Sequence, residues 1–410
     1  MSGPDIRFSM FLDPDDLIRA WELRGDLKPS VRWHEMMHED HAANFTVAKV
    51  AQLDLLRSIR SSLDQAIREG RTFEAWRDDL VPELRKAGWW GAVTDAEVTG
   101  TNERVIVNER RLQTIFRTNV RMSQAAGRWA KIQREKERFP YLRYLSDHPR
   151  KKPRPDHRSW HGVILPVDHP WWQTHFPPNG WGCGCHYEQL TEAGMKARGF
   201  TISTPPDDGP PRAFFAAARE GPIMVPRGIH PGFGYNPGTA HLRAIADKAT
   251  QSIRRAAEAG LTNPARQAVR DIVADPAFDQ FLALPDGQFP VAVLTKAERA
   301  LMNARSPLVV LPTNVYRKQR GEMPSISRGH PELNVEDYRA LPYLIERALL
   351  VARDGDTKLI YFSSQERLYK VVVRQDDKHE LPAIVSFHAS NLRKIEGETR
   401  RLEIIYDGRE

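Results

Sequence analysis

The chain is poor in cysteine and has no long hydrophobic run. Its 410 residues include only two cysteines, Cys183 and Cys185, which excludes the disulfide framework of small secreted proteins. A disulfide between them would close a small, strained ring, so we expect a reduced pair. No apolar run approaches the roughly 20 residues that cross a bilayer, and no basic segment followed by an apolar one opens the chain. Neither a membrane contact nor a signal peptide is predicted.

The sequence also lacks an internal repeat and a large excess of one charge. The net charge is +7, from 60 Lys and Arg against 53 Asp and Glu. A hydrophobic content of 40% with 28% charged residues is typical of a globular protein, and the length predicts two or three domains. The positive balance permits an acidic partner, nucleic acid included, without requiring one.

Helical patterns dominate the first part of the chain. Asp13 and Pro14 are typical of a helix start, and Gly25 of its end. Further apolar periodicities predict helices over residues 45–69, 73–86 and 103–137. The stretch 147–187, rich in Pro, Gly, His and Trp, is predicted to be irregular.

The second part changes character after a Pro/Gly-rich stretch at residues 200–238. A helical segment is predicted over 240–284 and a helix capped by Asn334 over 335–348. Strands are predicted at 308–311, 349–353, 358–362, 368–374, 383–388 and 402–406. The expected fold is multidomain: a mainly α N-terminal domain with an irregular Cys/His region (1–200), a connector with a helical segment (201–284), and an α+β domain with an antiparallel sheet (285–410).

The sequence His34-Glu35-Met36-Met37-His38 matches the pattern of zinc proteases. On a helix the two histidines would share a face, and Glu35 would act as a general base. Metal binding needs a third ligand, and no convincing one follows at the expected spacing. We therefore favour a surface helix rich in His and Glu over a protease.

Two cysteines and two histidines can form a tetrahedral zinc site. Cys183, Cys185, His157 and His161 are the predicted ligands, and the zinc would be structural because no spare base or open ligand position is apparent. Asp156, His175 and His186 are alternative ligands. The other interpretation is a buried loop in which the thiols act as small hydrophobic groups.

Basic residues cluster on the long predicted helix and shortly after it. Lys and Arg neutralise phosphate independently of base sequence, which makes this cluster a candidate nucleic-acid contact. The alternative is a solvated helix face. The candidate residues are Arg117, Arg121, Arg128, Lys131, Arg150, Lys151, Lys152 and Arg154.

Ordered motifs over residues 13–190 resemble the phage Mu protein F-like family of minor head, or head morphogenesis, proteins. They are Phe-Thr-Val-Ala-Lys at 45–49, Gly-Trp-Trp-Gly at 88–91, Arg-Leu-Gln-Thr-Ile-Phe-Arg-Thr-Asn at 111–119, Arg-Pro-Asp-His at 154–157, and Pro-Pro-Asn-Gly-Trp-Gly-Cys-Gly-Cys at 177–185. Residues 231–238 fit the family as well. Gly184 departs from the pattern, where we expect an arginine.

The resemblance implies a minor capsid component near the portal vertex that helps head assembly and contacts packaged DNA. Its partners would be the portal, other capsid or scaffold proteins, and phage DNA. Its location would be the host cytoplasm during assembly and then the virion, in the capsid interior or at the portal vertex.

The C-terminal part resembles phage-associated nuclease domains grouped with barnase, EndoU, the tRNase colicins and RelE. The matching residues include Val-Val-Leu at 309–311, His-Pro-Glu-Leu at 330–333 and Tyr-Lys-Val-Val-Val at 369–373. Pro312-Thr313 departs from the pattern, where we expect a serine.

The nuclease resemblance implies RNA cleavage without a metal or cofactor. His330 would act as acid or base, Lys318, Arg328 and Lys370 would stabilise the phosphate, and Ser386 or His388 would orient it. A non-catalytic copy that only binds is the other interpretation. Two functions follow: a minor head protein that carries an RNase domain, or primarily an RNase effector delivered with the virion.

Overall fold

The structure is a computed structural model that describes residues 14–146, 154–217, 219–275, 277–284, 286–320 and 332–409. The chain forms two compact units, residues 1–244 and 245–410. The three-part division predicted from the sequence stays a prediction. Within the described ranges, no helix is both long and apolar enough to cross a membrane.

Unit 1 is mainly helical and contains several small sheets. Its helices are α1 (Pro14–Glu22), α2 (Asp40–Ala43), α3 (Leu53–Glu69), α4 (Phe73–Lys86), α5 (Ala96–Thr99), α6 (Glu109–Glu135), α7 (Pro155–Ser159), α8 (Trp172–His175), α9 (Glu192–Ala197) and the start of α10 (Pro237–Glu258). Its strands are β1 (Asp26–Leu27), β2 (Asn44–Phe45), β3 (Gly91–Val93), β4 (Val105–Val107), β5 (Tyr141–Leu145), β6 (Ile164–Pro166), β7 (His186–Leu190), β8 (Arg212–Phe215) and β9 (Pro222–Val225).

Local sequence signals fix the helices of unit 1. In α3, Ile59, Leu63 and Ile67 recur at helical spacing and are buried, and Gly70 ends the helix at φ +64°. Thr72 caps α4 by accepting a hydrogen bond from the backbone N–H of Ala75. The predicted start of α3 at residue 45 is wrong, because Phe45 pairs in parallel with Leu27 in the β1–β2 sheet.

Helix α6 runs through the centre of unit 1. Asn108 caps it, and twelve of its 27 residues are buried, so neighbours pack on more than one of its faces. Its predicted start at residue 103 is wrong, because β4 pairs with β3 just before the helix. Trp21, Trp76 and Trp89 fill the core on one side of α6.

The Cys/His region is more regular than predicted. Strand β6 of this region forms a three-stranded sheet with β5 before it and β7 at its end, and α7 and α8 lie between these strands in sequence. A second core contains Trp129, Trp160 and Trp172 together with both cysteines. The Pro/Gly-rich stretch after residue 200 supplies the β8–β9 hairpin, whose Val225 belongs to this core.

Unit 2 contains one large sheet with helices. Its helices are the end of α10, α11 (Thr262–Ala274), α12 (Ala277–Leu282), α13 (Lys296–Leu301), α14 (Thr313–Gln319), α15 (Val335–Arg339), α16 (Leu341–Glu346) and α17 (Leu392–Thr399). Its strands are β10 (Gln288–Val293), β11 (Leu308–Pro312), β12 (Leu350–Arg353), β13 (Lys358–Ser364), β14 (Leu368–Arg374), β15 (Ala383–Ala389) and β16 (Glu403–Asp407).

The seven-stranded sheet has the order β10-β11-β15-β14-β13-β12-β16. The predicted antiparallel arrangement is correct for every pair except β11 and β15, which run parallel. One face carries Tyr361, Val371 and Phe387, and the other carries Ile360 and Val372 against Ile395 of α17. The sheet is therefore buried from both sides near its centre.

Two predicted helices of this part are divided. The segment 240–284 is interrupted at Gly260, which has φ +83°. Residues 335–348 form α15 and α16 instead of one helix, because Pro342 has no N–H to continue the hydrogen-bond ladder. Asn334 does cap α15, in a reciprocal capping box with Asp337.

Candidate metal centre

Three of the four predicted ligands meet in the interior of unit 1. The Nδ1 atom of His157 lies 3.6 Å from Cys183 Sγ and 3.4 Å from Cys185 Sγ. Two ligands of one tetrahedral zinc lie about 3.5 Å apart, given Zn–S near 2.3 Å and Zn–N near 2.0–2.1 Å. The spacing of these atoms therefore fits a zinc ion.

The tautomer of His157 also fits metal binding. Its Nε2 lies 3.1 Å from the carbonyl oxygen of Gly228. A carbonyl oxygen can only accept a hydrogen bond, so Nε2 carries the proton. The lone pair of Nδ1 therefore points toward the two sulfur atoms. The ring stacks on Trp160 at a centroid distance of 4.9 Å, which fixes its plane.

Local folding brings the ligands together from separate stretches. His157 lies in α7, a short helix whose first position is Pro155. The cysteines precede β7, and the pairing of β7 with β5 holds that end of the stretch. The N–H of Cys183 donates to the carbonyl of Gly180 in a turn, at 3.0 Å.

A second layer of polar groups surrounds the three ligands. The hydroxyl of Tyr144 donates to the side-chain oxygen of Asn179 at 2.8 Å, and Asn179 is fully buried. Asp208 accepts from the indole N–H of Trp160 at 2.7 Å and contacts Nε2 of His175 at 3.0 Å. These bonds hold Trp160, on which His157 stacks, and Asn179, whose backbone forms a hydrogen bond with Cys183.

The cysteine thiols interact electrostatically. A hydrogen bond with Cys185, followed by contacts with His157, holds the pKa of Cys183 well below its usual value. The hydrogen bond with Cys183 raises the pKa of Cys185 in turn. Burial raises the pKa of the Tyr144 hydroxyl well above its usual value. The pair thus favours one thiolate beside the imidazole.

Burial decides what this arrangement can do. Cys183 is 1% exposed and His157 2% exposed, so no substrate reaches a thiolate nucleophile there. Catalytic zinc sites keep an accessible ligand position, whereas structural sites are closed. The geometry suits a structural ion.

The other candidate ligands lie outside this group of three within the described residues. The Nδ1 atom of His161 accepts from the backbone N–H of Ser146 at 3.1 Å. His175 interacts with Asp208, and burial lowers the pKa of His175 despite that carboxylate. Asp156 and His186 are exposed.

The zinc-protease pattern does not form a helix. Residues Trp33–Glu35 form a short 3₁₀ turn, and His38 follows with φ +48°. Glu35 accepts hydrogen bonds from the backbone N–H groups of Val31 and Arg32. The Nε2 atom of His38 contacts the carbonyl oxygen of Pro231 at 2.7 Å. The predicted surface helix is therefore wrong, and these residues serve local structure.

The basic candidates on α6 are only partly accessible. Arg117, Arg121, Arg128 and Lys131 are each half-buried. Arg154 donates to the carbonyl oxygen of Trp181 at 2.8 Å. The remaining candidates, Arg150, Lys151 and Lys152, lie outside the described residues.

Three of the predicted catalytic residues share one face of the sheet in unit 2. Lys370 pairs with His388 across β14 and β15, and Ser386 Oγ lies 3.3 Å from His388 Nδ1. Lys370 forms an ion pair with Glu398 of α17.

Lys318 lies on α14, and α14 belongs to the opposite face of that sheet. Tyr316 of α14 contacts Tyr338, which in turn contacts Phe387. His330 and Arg328 lie outside the described residues. The described structure thus brings together Lys370, Ser386 and His388, and separates Lys318 from them.

Sequence reasoning missed the supporting residues of the metal centre. Tyr144, Asn179 and Asp208 hold the ligand stretches, and Gly228 supplies a carbonyl. Only Asn179 lies in a motif that the sequence singled out. The others join the site through long-range contacts, which periodicity and spacing do not report.

Comparison with known proteins finds a family match over the segment that contains the candidate metal centre. Residues 57–188 match the family model of the Phage Mu protein F like protein. The putative capsid assembly protein F of Escherichia phage Mu is 34% identical over 200 residues, covering 48% of this chain and 45% of the Mu protein. The chain thus aligns with less than half of the Mu protein's length.

A second relative covers more of the chain. The Mu-like prophage FluMu F protein of Haemophilus influenzae is 27% identical over 381 residues, which is 85% of this chain and 90% of that protein. No solved structure matches. The nuclease resemblance of the C-terminal part stays a prediction. His157, Cys183 and Cys185 all lie inside the matched segment, and residues 57–188 are therefore similar to the phage Mu protein F-like family.

Proposed function

We propose that this chain is a head-assembly protein of a phage or prophage. The observation that carries the proposal is the family match over residues 57–188. The relative from phage Mu bears the name capsid assembly protein, and the alignment to it spans 200 residues. A role beside the portal, with contacts to portal, capsid or scaffold proteins, is the finer part of the proposal.

Deletion of the gene from the phage or prophage that encodes it tests this function. We expect lysates without DNA-filled heads in electron micrographs, and recovery when the intact chain is supplied from a plasmid. A normal yield of filled heads from the deletion contradicts the proposal. Cross-linking of purified heads, followed by mass spectrometry, then identifies which head proteins the chain contacts.

Contact with packaged DNA is a second part of the same function. The excess of positive charge and the half-buried basic residues on α6 support it. Replacing Arg117, Arg121, Arg128 and Lys131 by Gln removes up to four phosphate contacts. The slope of log K against log salt concentration would then fall by as much as about 3.6.

A matched control distinguishes DNA contact from a general effect of charge. Arg57 lies on α3 with its side chain 61% exposed, and Arg57→Gln removes one surface charge away from α6. We expect the Arg57→Gln slope to stay close to that of the parent protein. Unchanged slopes in the α6 variants exclude those residues as phosphate contacts.

We further propose that His157, Cys183 and Cys185 hold a structural zinc ion. The distances from His157 Nδ1 to the two sulfur atoms, 3.6 and 3.4 Å, match the separation of two ligands on a tetrahedral zinc, and all three ligand atoms lie within 4.8 Å of one another. The Nε2 proton of His157 is committed to the Gly228 carbonyl, as in many metal-binding histidines. Zinc would join α7 to the start of β7 and so stiffen this part of unit 1.

One observation favours RNase activity as a second candidate function. Lys370, Ser386 and His388 lie together on one face of the sheet in unit 2. A cation, a hydroxyl and an imidazole are groups that phosphodiester cleavage uses. The ion pair between Lys370 and Glu398 opposes this role, since it occupies the cation.

A further inference from the structure

Unit 1 contains a cavity that none of the predicted sites uses. Its volume is about 280 Å³, and it lies between α1, α6 and the stretches around residues 41–48 and 232–237. The exposed residues Thr114 and Trp181 belong to its lining, so the cavity reaches the surface. Most of the wall is apolar, and includes Ala20, Ala42, Val47, Ile115, Met122 and Phe233.

An incompletely paired arginine lines this apolar cavity. Arg24 is only 8% exposed. Its Nη2 donates to the side-chain oxygen of Asn119 at 2.8 Å, whereas Nε and Nη1 have no hydrogen-bond partner. The guanidinium carbon lies 5.5 Å from the ring centre of Trp21. Among the described residues, no carboxylate forms an ion pair with it.

More unpaired polar atoms belong to the same wall. They are Nε of Arg111, Oγ of Ser123 and Nδ1 of His241. With the two nitrogens of Arg24, the cavity lining holds five of the eleven buried side-chain polar atoms without a partner in the described chain. Such atoms are uncommon in native proteins, and their concentration at one cavity points to a ligand.

The chemistry of these groups defines the ligand. Arg24 and Arg111 are cationic donors, and a buried cation without an anion costs free energy. Burial lowers the pKa of Arg24 to about 10, which reflects this cost. An anion in the cavity would relieve it. The apolar wall requires that the rest of the ligand be apolar, which disfavours a sugar or a nucleotide base.

We propose that this cavity binds a carboxylate carried on an apolar body. The carboxylate accepts hydrogen bonds from Arg24, after a small turn of its guanidinium, and from the Ser123 hydroxyl. The apolar body lies along Val47, Ile115 and Met122. Two sources offer this chemistry: a free organic acid, and the C-terminus of a peptide that ends in apolar residues. The site goes beyond the proposed role in head assembly and does not depend on it.

Calorimetric titration of the full chain tests the proposal. The first pair of probes is octanoate and its neutral amide, octanamide. The second pair is acetyl-Ala-Leu-Leu as the free acid and as the amide. We expect at least one acid to bind about tenfold or more tightly than its amide, as for a hydrogen bond to a charged group. The pair that shows the difference identifies the source of the ligand.

Variants of the wall locate the binding. Arg24→Gln is expected to lower the affinity for the acid by about tenfold or more, and to leave that for the amide unchanged. Ser123→Ala removes only a hydroxyl and is expected to lower the affinity for the acid severalfold. This variant tests the site even if Arg24→Gln fails to fold. Ala126→Leu fills the cavity and should weaken both members of the pair.

Three results overturn the proposal. The first is that neither acid binds better than its amide. The second is equal affinity for the acid in the parent protein, in Arg24→Gln and in Ser123→Ala. The third is binding of inorganic phosphate as tight as that of the acids, because an apolar body would then contribute nothing.

Discussion

The ring of His157 donates its Nε2 proton to the carbonyl oxygen of Gly228, at 3.1 Å and across 71 residues of sequence. Gly228 has φ +80°, a backbone conformation that side chains disfavour. It also lies against Asp156 and Trp160, next to the ligand itself. The orientation of the imidazole therefore depends on a glycine in a stretch with no ligand of its own.

Replacing Gly228 by Ala is expected to destabilise unit 1. A Cβ there would lie 2.5 Å from the Cβ of Asp156 and 2.9 Å from the Trp160 ring. The combined cost of the positive φ and the overlap is about 2–4 kcal/mol in the free energy of unfolding. Urea unfolding followed by tryptophan fluorescence measures it, because all ten tryptophans lie between residues 21 and 181.

The control for this substitution is Gly199→Ala. Gly199 has φ +64°, and its added Cβ would meet no atom within 4 Å. Only the backbone cost of about 1–2 kcal/mol remains. Equal losses at the two positions would show that the packing beside His157 does not matter.

Zinc binding predicts different outcomes at the four candidate ligands. The purified parent protein should contain about one zinc ion per chain, and Cys183→Ser, Cys185→Ser and His157→Ala should contain almost none. Elemental mass spectrometry measures the metal. Removal of zinc by a chelator should lower the melting temperature of unit 1, since the ion joins two stretches of its core.

His161→Ala is the matched control for the metal site. His161 interacts with the backbone of Ser146 and lies outside the group of three ligands. Its variant should therefore keep its zinc. A parent protein purified without zinc, or a loss in His161→Ala as large as in Cys183→Ser, contradicts the proposed ligand set.

The stability of unit 1 is expected to fall in mild acid because of His241. Burial lowers the pKa of His241 to about 4, with a small opposing effect of Asp16, whereas an unfolded histidine titrates near 6.5. Between these values the unfolded chain binds a proton that the folded chain does not. The contribution of neutral His241 to the free energy of unfolding is thus fully present above about pH 6.5. It decreases as the pH approaches 4, by about 2 kcal/mol at pH 5.

His241→Leu tests this origin of the acid sensitivity. Other groups, the metal centre included, also respond to acid, but they are present in both proteins. The loss between about pH 7 and pH 5 should be about 2 kcal/mol smaller in the variant. Equal losses in urea unfolding would assign the acid sensitivity to other groups.

RNA cleavage by unit 2 predicts a specific dependence on two histidines. The full chain should cleave total tRNA in a magnesium-free buffer, and His330→Ala and His388→Ala should lower the rate by about a hundredfold or more. Gel electrophoresis of the RNA measures the rate. No cleavage by the parent protein excludes the activity under these conditions.

His379→Ala is the control for the RNase test. The His379 side chain is 60% exposed and contacts Asp376 in a turn. It precedes strand β15, which carries Ser386 and His388. This variant should cleave at the rate of the parent protein. A loss equal to that of His388→Ala would indicate a general effect of removing surface histidines.

Local signals explain the parts of the fold that the sequence predicts. Helix α4 and strand β14 have the predicted bounds, Phe73–Lys86 and Leu368–Arg374, because caps, turns and periodicity specify them. Residues 45–52 have helical periodicity as well, but Phe45 forms its hydrogen bonds with a strand distant in sequence. Pairing of this kind overrides local preference.

The candidate metal centre is likewise predicted in part by local sequence and in part determined by tertiary contacts. The residue types Cys and His, with their spacing, predict that a site exists. They do not distinguish His157 from His161, because the choice depends on which ring points at the thiols after α7 has packed on Trp160 and Gly228. The cavity beside Arg24 depends even more on tertiary contacts, since its walls come from four separated stretches.

The contact between His38 and the carbonyl of Pro231 spans 193 residues, and Arg243 reaches back to Glu39. During translation, the segment around residue 38 leaves the ribosome long before these partners exist. At a synthesis rate of about 5–20 residues per second, it waits roughly 10–40 seconds. The segment around residue 38 therefore cannot complete these contacts until the ribosome has passed residue 243, and during this interval it is open to chaperones.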